Sequence, residues 1–431
     1  MQPQQQVRTT AQPTEPQFAA LVAIDWADQK HVWSLRSLGA TVERGTLDNT
    51  PEAVEIWVRQ LQQRFACQPM AVALEQRRGQ VQVLLDKYEH LHLYPVHPLT
   101  SAKYRQAWYP SGSKSDGEDA DLLLEILTQH RDRLRRLDPE TPEIRLLRFQ
   151  VENRRKLVEE RTALCQKLKD TLKICYPQIP TWFDNVATQL VLDWLEKWPT
   201  LDDVQKARPA TVEKFLRQHG VRDEAEVEKR LAGIRQAVAA THDRAVMESS
   251  QVMIAAWVAQ LRILQDAIRR LEKAIRTLAQ AQEDWPIYDS LPGAGEALAP
   301  RLMAAMGTQR ERFPSASELQ CFAGIAPVTE ASGNTRFVHL RKSCPKFLRQ
   351  TFHEWAACSI PHSAWAKAFY ADLIARGKTH HVAVRATAFK WMRILYRCWR
   401  DRQPYNEQLY LASMAKRTLP RQGMAQAVKT P

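Results

Sequence analysis

Two short, unbroken apolar runs punctuate the first part of the chain, Phe18-Ala19-Ala20-Leu21-Val22-Ala23-Ile24 and Met70-Ala71-Val72-Ala73-Leu74. Runs of this length with no polar interruption are the pattern of strands covered on both faces. Each ends on an acid, Asp25 and Glu75. Between them, Val32-Trp33-Ser34-Leu35 alternates as a half-exposed strand, Gly39 marks a turn, and Val42 to Leu47 predicts a third strand. Thr50 as N-cap and Pro51 at the first helical position open a helix that runs through Val54, Ile56, Trp57, Val58 and Leu61 to about Arg64. Beyond Glu75 the pattern predicts a helix over 81–88 and a strand over 91–96. A last helix carries Leu122, Leu123, Leu124, Ile126 and Leu127.

Further on, the period changes from two to about 3.5. Trp257, Leu261, Leu264, Ile268, Leu271, Ile275 and Leu278 recur in alternating steps of four and three, with charged residues on the other faces, which predicts a coiled-coil seam. A helix from Ile144 to about Cys175 carries a poorer seam, interrupted by Arg154 and Arg161. Packing of these helices on each other as an antiparallel hairpin, or on a second subunit, satisfies the pattern equally. Four prolines and three tryptophans mark 176–241 as a small helical insertion. The segments read as a tail over 1–17, an α/β domain over 18–140, coiled-coil helices over 141–285, a mainly α C-terminal domain over 286–415 and a flexible end over 416–431.

Charge sharpens this division. The chain carries a net +13, but unevenly: residues 1–130 hold twelve Lys and Arg against fifteen Asp and Glu, whereas 301–420 hold nineteen against seven, a balance of +12. A basic segment interleaved with Trp, Tyr and Phe fits a polyanionic backbone such as DNA, with a solvated basic face as the alternative. Seven scattered cysteines without metal-binding spacing fit reduced thiols in the cytoplasm, the Gln- and Pro-rich start has no signal-peptide core, and no run is long enough for a membrane span.

Candidate chemistry concentrates at Ser113-Lys114-Ser115-Asp116-Gly117-Glu118-Asp119-Ala120-Asp121, where four carboxylates precede the last N-terminal helix. In a first helical turn Asp116 and Asp119 share a face, and such a pair is either stabilised by the helix dipole or neutralised by a divalent cation. Asp25 and Glu75 are delivered to one sheet edge and Asp116 and Asp119 open the last helix, an order that resembles an RNase H-like fold and by that resemblance implies a metal-binding tetrad. Asp28 and Glu118 are then solvated neighbours, and Asp121 is either a solvated neighbour or a further member of the site. Two cations a few ångströms apart activate a nucleophile and stabilise a leaving oxygen. Lys103, Arg105 and Lys114 beside the cluster are candidate nucleic-acid contacts. In the C-terminal segment, Leu291-Pro292-Gly293-Ala294-Gly295 resembles a helix–hairpin–helix turn in which Gly293 and Gly295 let backbone N–H groups approach phosphate. Ser332 beside Gly333 lies in a polar loop near Arg336, His339, Arg341 and Lys342, and Arg385, Lys390 and Arg393 stud the helix over 382–399. Ser332 is either a turn residue or, in that cationic setting, a nucleophile toward phosphorus.

The element order resembles an RNase H-like (RuvC-like) fold. Together with Ala23-Ile24-Asp25, Val72-Ala73-Leu74-Glu75, Lys114 to Asp121, Leu291 to Gly295, and Phe322-Ala323-Gly324-Ile325-Ala326-Pro327 leading to Ser332-Gly333, it resembles the DEDD transposases of bacterial insertion sequences, the bridge-RNA-guided recombinases. That resemblance implies that Asp25, Glu75, Asp116 and Asp119 hold Mg²⁺, with Mn²⁺ able to substitute, and that Ser332 attacks DNA to form a phosphoserine link. It also implies donor and target DNA as substrates, a structured bridge RNA, dimers through the middle helices, tetramers at synapsis, and sites that combine one subunit's acids with another's serine. A structure-selective endonuclease using metal-activated water is the alternative. The segment Gln76-Arg77-Arg78-Gly79 departs from the Thr-Gly-type turn of many members.

Overall fold

In a computed structural model the chain is described from residue 17 to 418, apart from 38, 76–79, 109–115, 138–139, 334 and 343; side chains at 80, 116 and 414–418 are also left aside. The tails at 1–16 and 419–431, the 76–79 turn and Lys114 therefore lie outside the described residues. The chain divides into two compact units at Glu140/Thr141. Among the described residues no helix is long and apolar enough to cross a membrane.

The first unit is built from β1 (Ala20–Asp25), β2 (Lys30–Ser37), β3 (Glu43–Asp48), α1 (Pro51–Arg64), β4 (Met70–Leu74), α2 (Gln80–Leu85), β5 (Leu91–Pro95), α3 (Pro98–Trp108) and α4 (Asp116–His130). The sheet order is β3-β2-β1-β4-β5, antiparallel across β1–β2 and β2–β3 and parallel across β1–β4 and β4–β5. The two unbroken apolar runs are thus the central strands, as their pattern predicts. On one face Val22, Ile24, Val72 and Leu74 pack with Val54, Val58 and Leu61 of α1. On the other, Ala23, Ala71 and Ala73 pack with Leu123, Leu124 and Leu127 of α4. Small side chains beneath α4 allow a helix to lie close to the sheet.

The second unit begins with α5 (Pro142–Cys175) and returns along α11 (Arg244–Gln280). The two pack on each other in antiparallel fashion: Ile144, Leu147 and Val151 lie with Ile275 and Ala279, and Leu168 and Leu172 with Ile254, Val258 and Leu261. Arg154, an interruption in the predicted seam, donates to Glu272 Oε1 across the pair at 2.6 Å. Of the predicted α11 seam, Leu261, Ile268 and Ile275 are fully buried, while Trp257, Leu264, Leu271 and Leu278 are half-buried. The insertion forms α6 (Gln178–Trp182), α7 (Gln189–Lys197), α8 (Leu201–Lys206), α9 (Pro209–Gln218) and α10 (Glu224–Gln236) around Trp194, Trp198 and Phe215.

The remaining elements are α12 (Trp285–Asp289), α13 (Gly295–Met306), α14 (Ala316–Phe322), the hairpin β6 (Val328–Ser332) and β7 (Thr335–His339), α15 (Lys346–Ser359), α16 (Ala364–Ala375), α17 (His380–Asp401) and α18 (Glu407–Thr418). Their core includes Ile144, Leu147, Val151, Ile275 and Ala279, so the base of the long helix pair and the C-terminal helices share one core. A boundary at 285 drawn from the coiled-coil period does not show this, because apolar spacing does not name the partner.

At the Pro292-Gly293 turn, Gly293 has φ +71° and a Cβ there would lie 2.3 Å from the Cys358 carbonyl oxygen, while Trp355 Nε1 donates to Pro292 O at 3.1 Å. Gly295, φ +52°, faces open space. The helix before this turn has only five residues. Gly293→Ala is expected to cost about 2–4 kcal/mol from left-handed strain plus overpacking, and Gly295→Ala about 1 kcal/mol from strain alone. Denaturant melts of the two variants measure the difference.

Candidate active site

The parallel register of β1 on β4 sets Ile24 opposite Leu74, so the next residues, Asp25 and Glu75, leave the sheet side by side from one edge. Neighbouring strands run about 4.8 Å apart. Two carboxylates this close repel unless positive charge or hydrogen-bond donors compensate. The protein supplies some of these from α3, a helix the apolar pattern does not announce. Pro98 occupies its first position, and Leu99 N donates to His97 Nδ1 at 3.1 Å. Ser101 and Arg105, four residues apart, share one face of it. The buried Ser101 hydroxyl donates to Glu75 Oε1 at 2.7 Å, within reach also of Pro98 O at 3.0 Å. Arg105 forms an ion pair with Asp119.

Asp116 is the first residue of α4 and Asp119 sits one turn later, 7% exposed. The backbone spacing is therefore the i, i+3 relation expected from the sequence; the Asp116 side chain lies outside the described residues. Asp25, Glu75 and Asp119 are hard oxygen donors of the kind that suit Mg²⁺ or Mn²⁺. Among the described residues, however, no three His, Cys, Asp or Glu side chains converge as a ready ion cage. Asp121 is not a solvated neighbour. It accepts from the fully buried Ser34 Oγ at 2.7 Å and from Arg44 Nε at 2.9 Å, and this carboxylate holds the Arg44 guanidinium above its ordinary pKa. Glu118 and Asp28 are exposed.

Of the basic residues beside the cluster, Lys103 is exposed and Arg105 is turned onto Asp119. The sequence signal for the α3 contribution was available in Pro98 and the Ser101/Arg105 spacing, but no apolar stripe drew attention to it.

In the second unit Ser332 is the last residue of β6, paired with Thr335 across the tip of an exposed hairpin, rather than part of an irregular loop. Arg336 pairs with Ala331 and so projects from the opposite face. Lys342 is exposed, whereas Arg341 is half-buried with Nη2 3.8 Å from Cys321 Sγ. On α17 the aromatics belong to the core: Trp391 Nε1 donates to Ser359 Oγ, Tyr396 OH to Phe313 O and Trp399 Nε1 to Gly307 O, at 2.7, 2.8 and 2.8 Å. Arg385 is half-buried, and Lys390 sits 3.4 Å from the centroid of the Phe369 ring, where burial pulls its pKa down. Arg393, Arg397 and Arg400 form the outward stripe, on the i, i+4, i+7 face.

Comparison with known proteins bears on both units. Residues 22–177 match the IS110-type DEDD transposase domain, and residues 287–371 match the transposase domain of the IS116/IS110/IS902 family. The chain is 26% identical over 408 residues to the mini-circle putative transposase for IS117 of Streptomyces coelicolor, spanning 93% of this chain and 98% of that protein. It is 24% identical over 310 residues to the IS110 43.6 kDa protein of the same organism, covering 70% of this chain and 74% of the relative. It is 26% identical over 303 residues to the IS900 42 kDa protein of Mycobacterium paratuberculosis, covering 69% and 74%.

Removing the Asp121 carboxylate leaves the buried Ser34 hydroxyl without its acceptor. Asp121→Ala is expected to lower stability by about 2 kcal/mol, and adding Ser34→Ala to recover part of that loss. A double-mutant cycle of denaturant midpoints checks the sign of the coupling.

Proposed function

Since the chain carries, in order, the two transposase domains of the IS110/IS116 family, we propose that it is a DNA transposase that cuts and rejoins strands through a covalent phosphoserine intermediate. The observation that carries the reading is the pairing of β1 with β4, which brings Asp25 and Glu75 to one sheet edge beneath a helix bearing Asp116 and Asp119. When bound, divalent cations held by Asp25, Glu75, Asp116 and Asp119, Mg²⁺ first among them, supply positive charge to the oxygens of a phosphodiester.

The chain's own residues do the remainder. Arg105 holds Asp119 by an ion pair and Ser101 holds Glu75 by a hydrogen bond, so both acids are oriented before substrate arrives. Ser332, exposed at its hairpin tip, presents Oγ to the scissile phosphorus. A bond forms from Oγ to phosphorus and one phosphoester P–O bond breaks, leaving a free deoxyribose hydroxyl. The reverse step, with a hydroxyl from another strand as nucleophile, rejoins DNA and returns the serine. Bond energy is conserved in the link, so neither ATP nor water enters. Lys103, Lys342, Arg336, Arg341 and the α17 cations Arg385, Lys390 and Arg393 contact the phosphate backbone, together with the backbone at Gly293 and Gly295 and with Lys114. The substrates are donor and target DNA, brought together by a structured RNA from the same element, with homodimers and tetramers as the working assemblies.

On a plasmid carrying the element's ends, the wild-type protein is expected to leave a protein–DNA adduct that survives denaturing electrophoresis. Ser332→Ala abolishes that adduct, lowering strand transfer by a factor on the order of 10³ or more. Full recombination by this variant removes the serine from the mechanism, and cleavage without an adduct points to a hydrolytic nuclease. Asp119→Asn and chelation of divalent cations are each expected to stop strand transfer while DNA binding persists in a mobility-shift assay. Wild-type turnover in either case contradicts the metal assignment.

A further inference from the structure

The β6–β7 hairpin has a feature that this chemistry leaves unused. Opposed residues of an antiparallel pair share a face. The register pairs Ser332 with Thr335, Glu330 with Phe337 and Val328 with His339, so these six side chains lie together, and Arg336 and Val338 lie on the reverse. Phe337 is therefore diagonal to Ser332, and diagonal neighbours stand roughly 7–8 Å apart. It is 59% exposed and belongs to neither core of its unit. Its ring lies nearly parallel to that of His339, with an interplanar angle of 18° and centroids 6.2 Å apart. Burying the ring against a ligand releases apolar surface that the fold itself leaves in water.

We propose that Phe337 is the platform on which an unpaired nucleobase of the DNA strand stacks, next to the phosphate that Ser332 attacks. The inference rests on the reading of Ser332 as the nucleophile. Charge favours a nucleic acid over an apolar protein surface. Arg336 projects from the reverse face, Arg341 and Lys342 follow β7 directly, and the segment around them carries the +12 excess. The acid on this face, Glu330, has Oε2 3.4 Å from His339 Nε2. An exposed aromatic ring within a basic segment is an arrangement that holds single strands with little regard to sequence, because every base has a π-face. Stacking an extruded base on Phe337 immobilises the adjoining sugar–phosphate and limits the approach angles open to Ser332 Oγ.

The test uses the full chain and an oligo(dT) strand carrying one 2-aminopurine, whose fluorescence is quenched on stacking. Wild-type and Ser332→Ala proteins are both expected to bind and quench. Phe337→Ala is expected to lose the quench and bind roughly tenfold more weakly, with an unchanged salt slope because no phosphate contact is removed. Phe337→Tyr retains both signals, and Phe337→Leu behaves like Phe337→Ala, since it keeps apolar bulk but lacks a π-face. Unaltered thermal melts confirm that the exposed position is not a folding determinant. Absence of quenching in the wild-type protein overturns the proposal. So does wild-type behaviour of Phe337→Ala, or full rescue by Phe337→Leu, which instead assigns the residue to an apolar protein contact. The two readings fail separately: a Ser332→Ala protein that still forms the adduct refutes the nucleophile, while the quench reports on the platform alone.

Discussion

The first unit depends on the register between β1 and β4. Because side chains alternate with a period of two, a slip of one residue turns every inward side chain of a strand to the other face. Here the same register that seats Val22, Ile24, Val72 and Leu74 against α1 sets Asp25 beside Glu75 at the sheet edge. It also aligns Ala23, Ala71 and Ala73 as a shallow floor for α4, the helix that begins at Asp116. Core packing and site assembly are thus one constraint. The apolar burial on both faces, at about 25 cal/mol per Å², is what holds the acids together against their mutual repulsion.

That repulsion explains the contacts around the acids. Ser101 on Glu75 and Arg105 on Asp119 come from adjacent turns of α3 and place a donor or a cation against each carboxylate. Asp121 is satisfied by a different route, through Ser34 and Arg44 of the antiparallel strands, so this charge tethers α4 to the sheet. Asp119 and Asp121, of similar appearance in the sequence, are thereby distinguished by their partners. In the second unit a single core joins the base of the long helix pair to the C-terminal helices, and the exposed hairpin that carries Ser332 projects from this frame with its apolar and hydroxyl groups in solvent.

The order of strands and helices in the first unit was legible because each central strand is an unbroken apolar run and each exposed one alternates, signals that survive without knowledge of neighbours. The start of α1 at Pro51 behind its threonine cap was legible for the same local reason, whereas α5, read from Ile144 by its first seam residue, begins two residues earlier at Pro142 behind Thr141. α3 was missed because its burial is confined mainly to Ser101, and a helix held by polar contacts leaves no apolar stripe to read. The aromatics interleaved with the basic residues of α17 face inward: Trp391, Tyr396 and Trp399 direct their polar atoms to backbone and side-chain acceptors within the core. Spacing on one helix does not reveal which face meets protein.

By itself, then, the sequence determined which residues form the buried central strands, where helices with an apolar stripe lie, and which acids and cations are present, because propensity, capping and apolar period act over a few residues. Tertiary structure alone decided that β1 and β4, whose terminal acids the sequence already assigns to one sheet edge, are direct neighbours in register, that Arg105 meets Asp119 while Asp121 meets Arg44, and that Ser332 shares its face with Phe337 and not with Arg336. Each of these depends on register or on packing between segments far apart in the chain. Such pairings are selected by the burial and charge balance of the whole fold, which no local window of sequence contains.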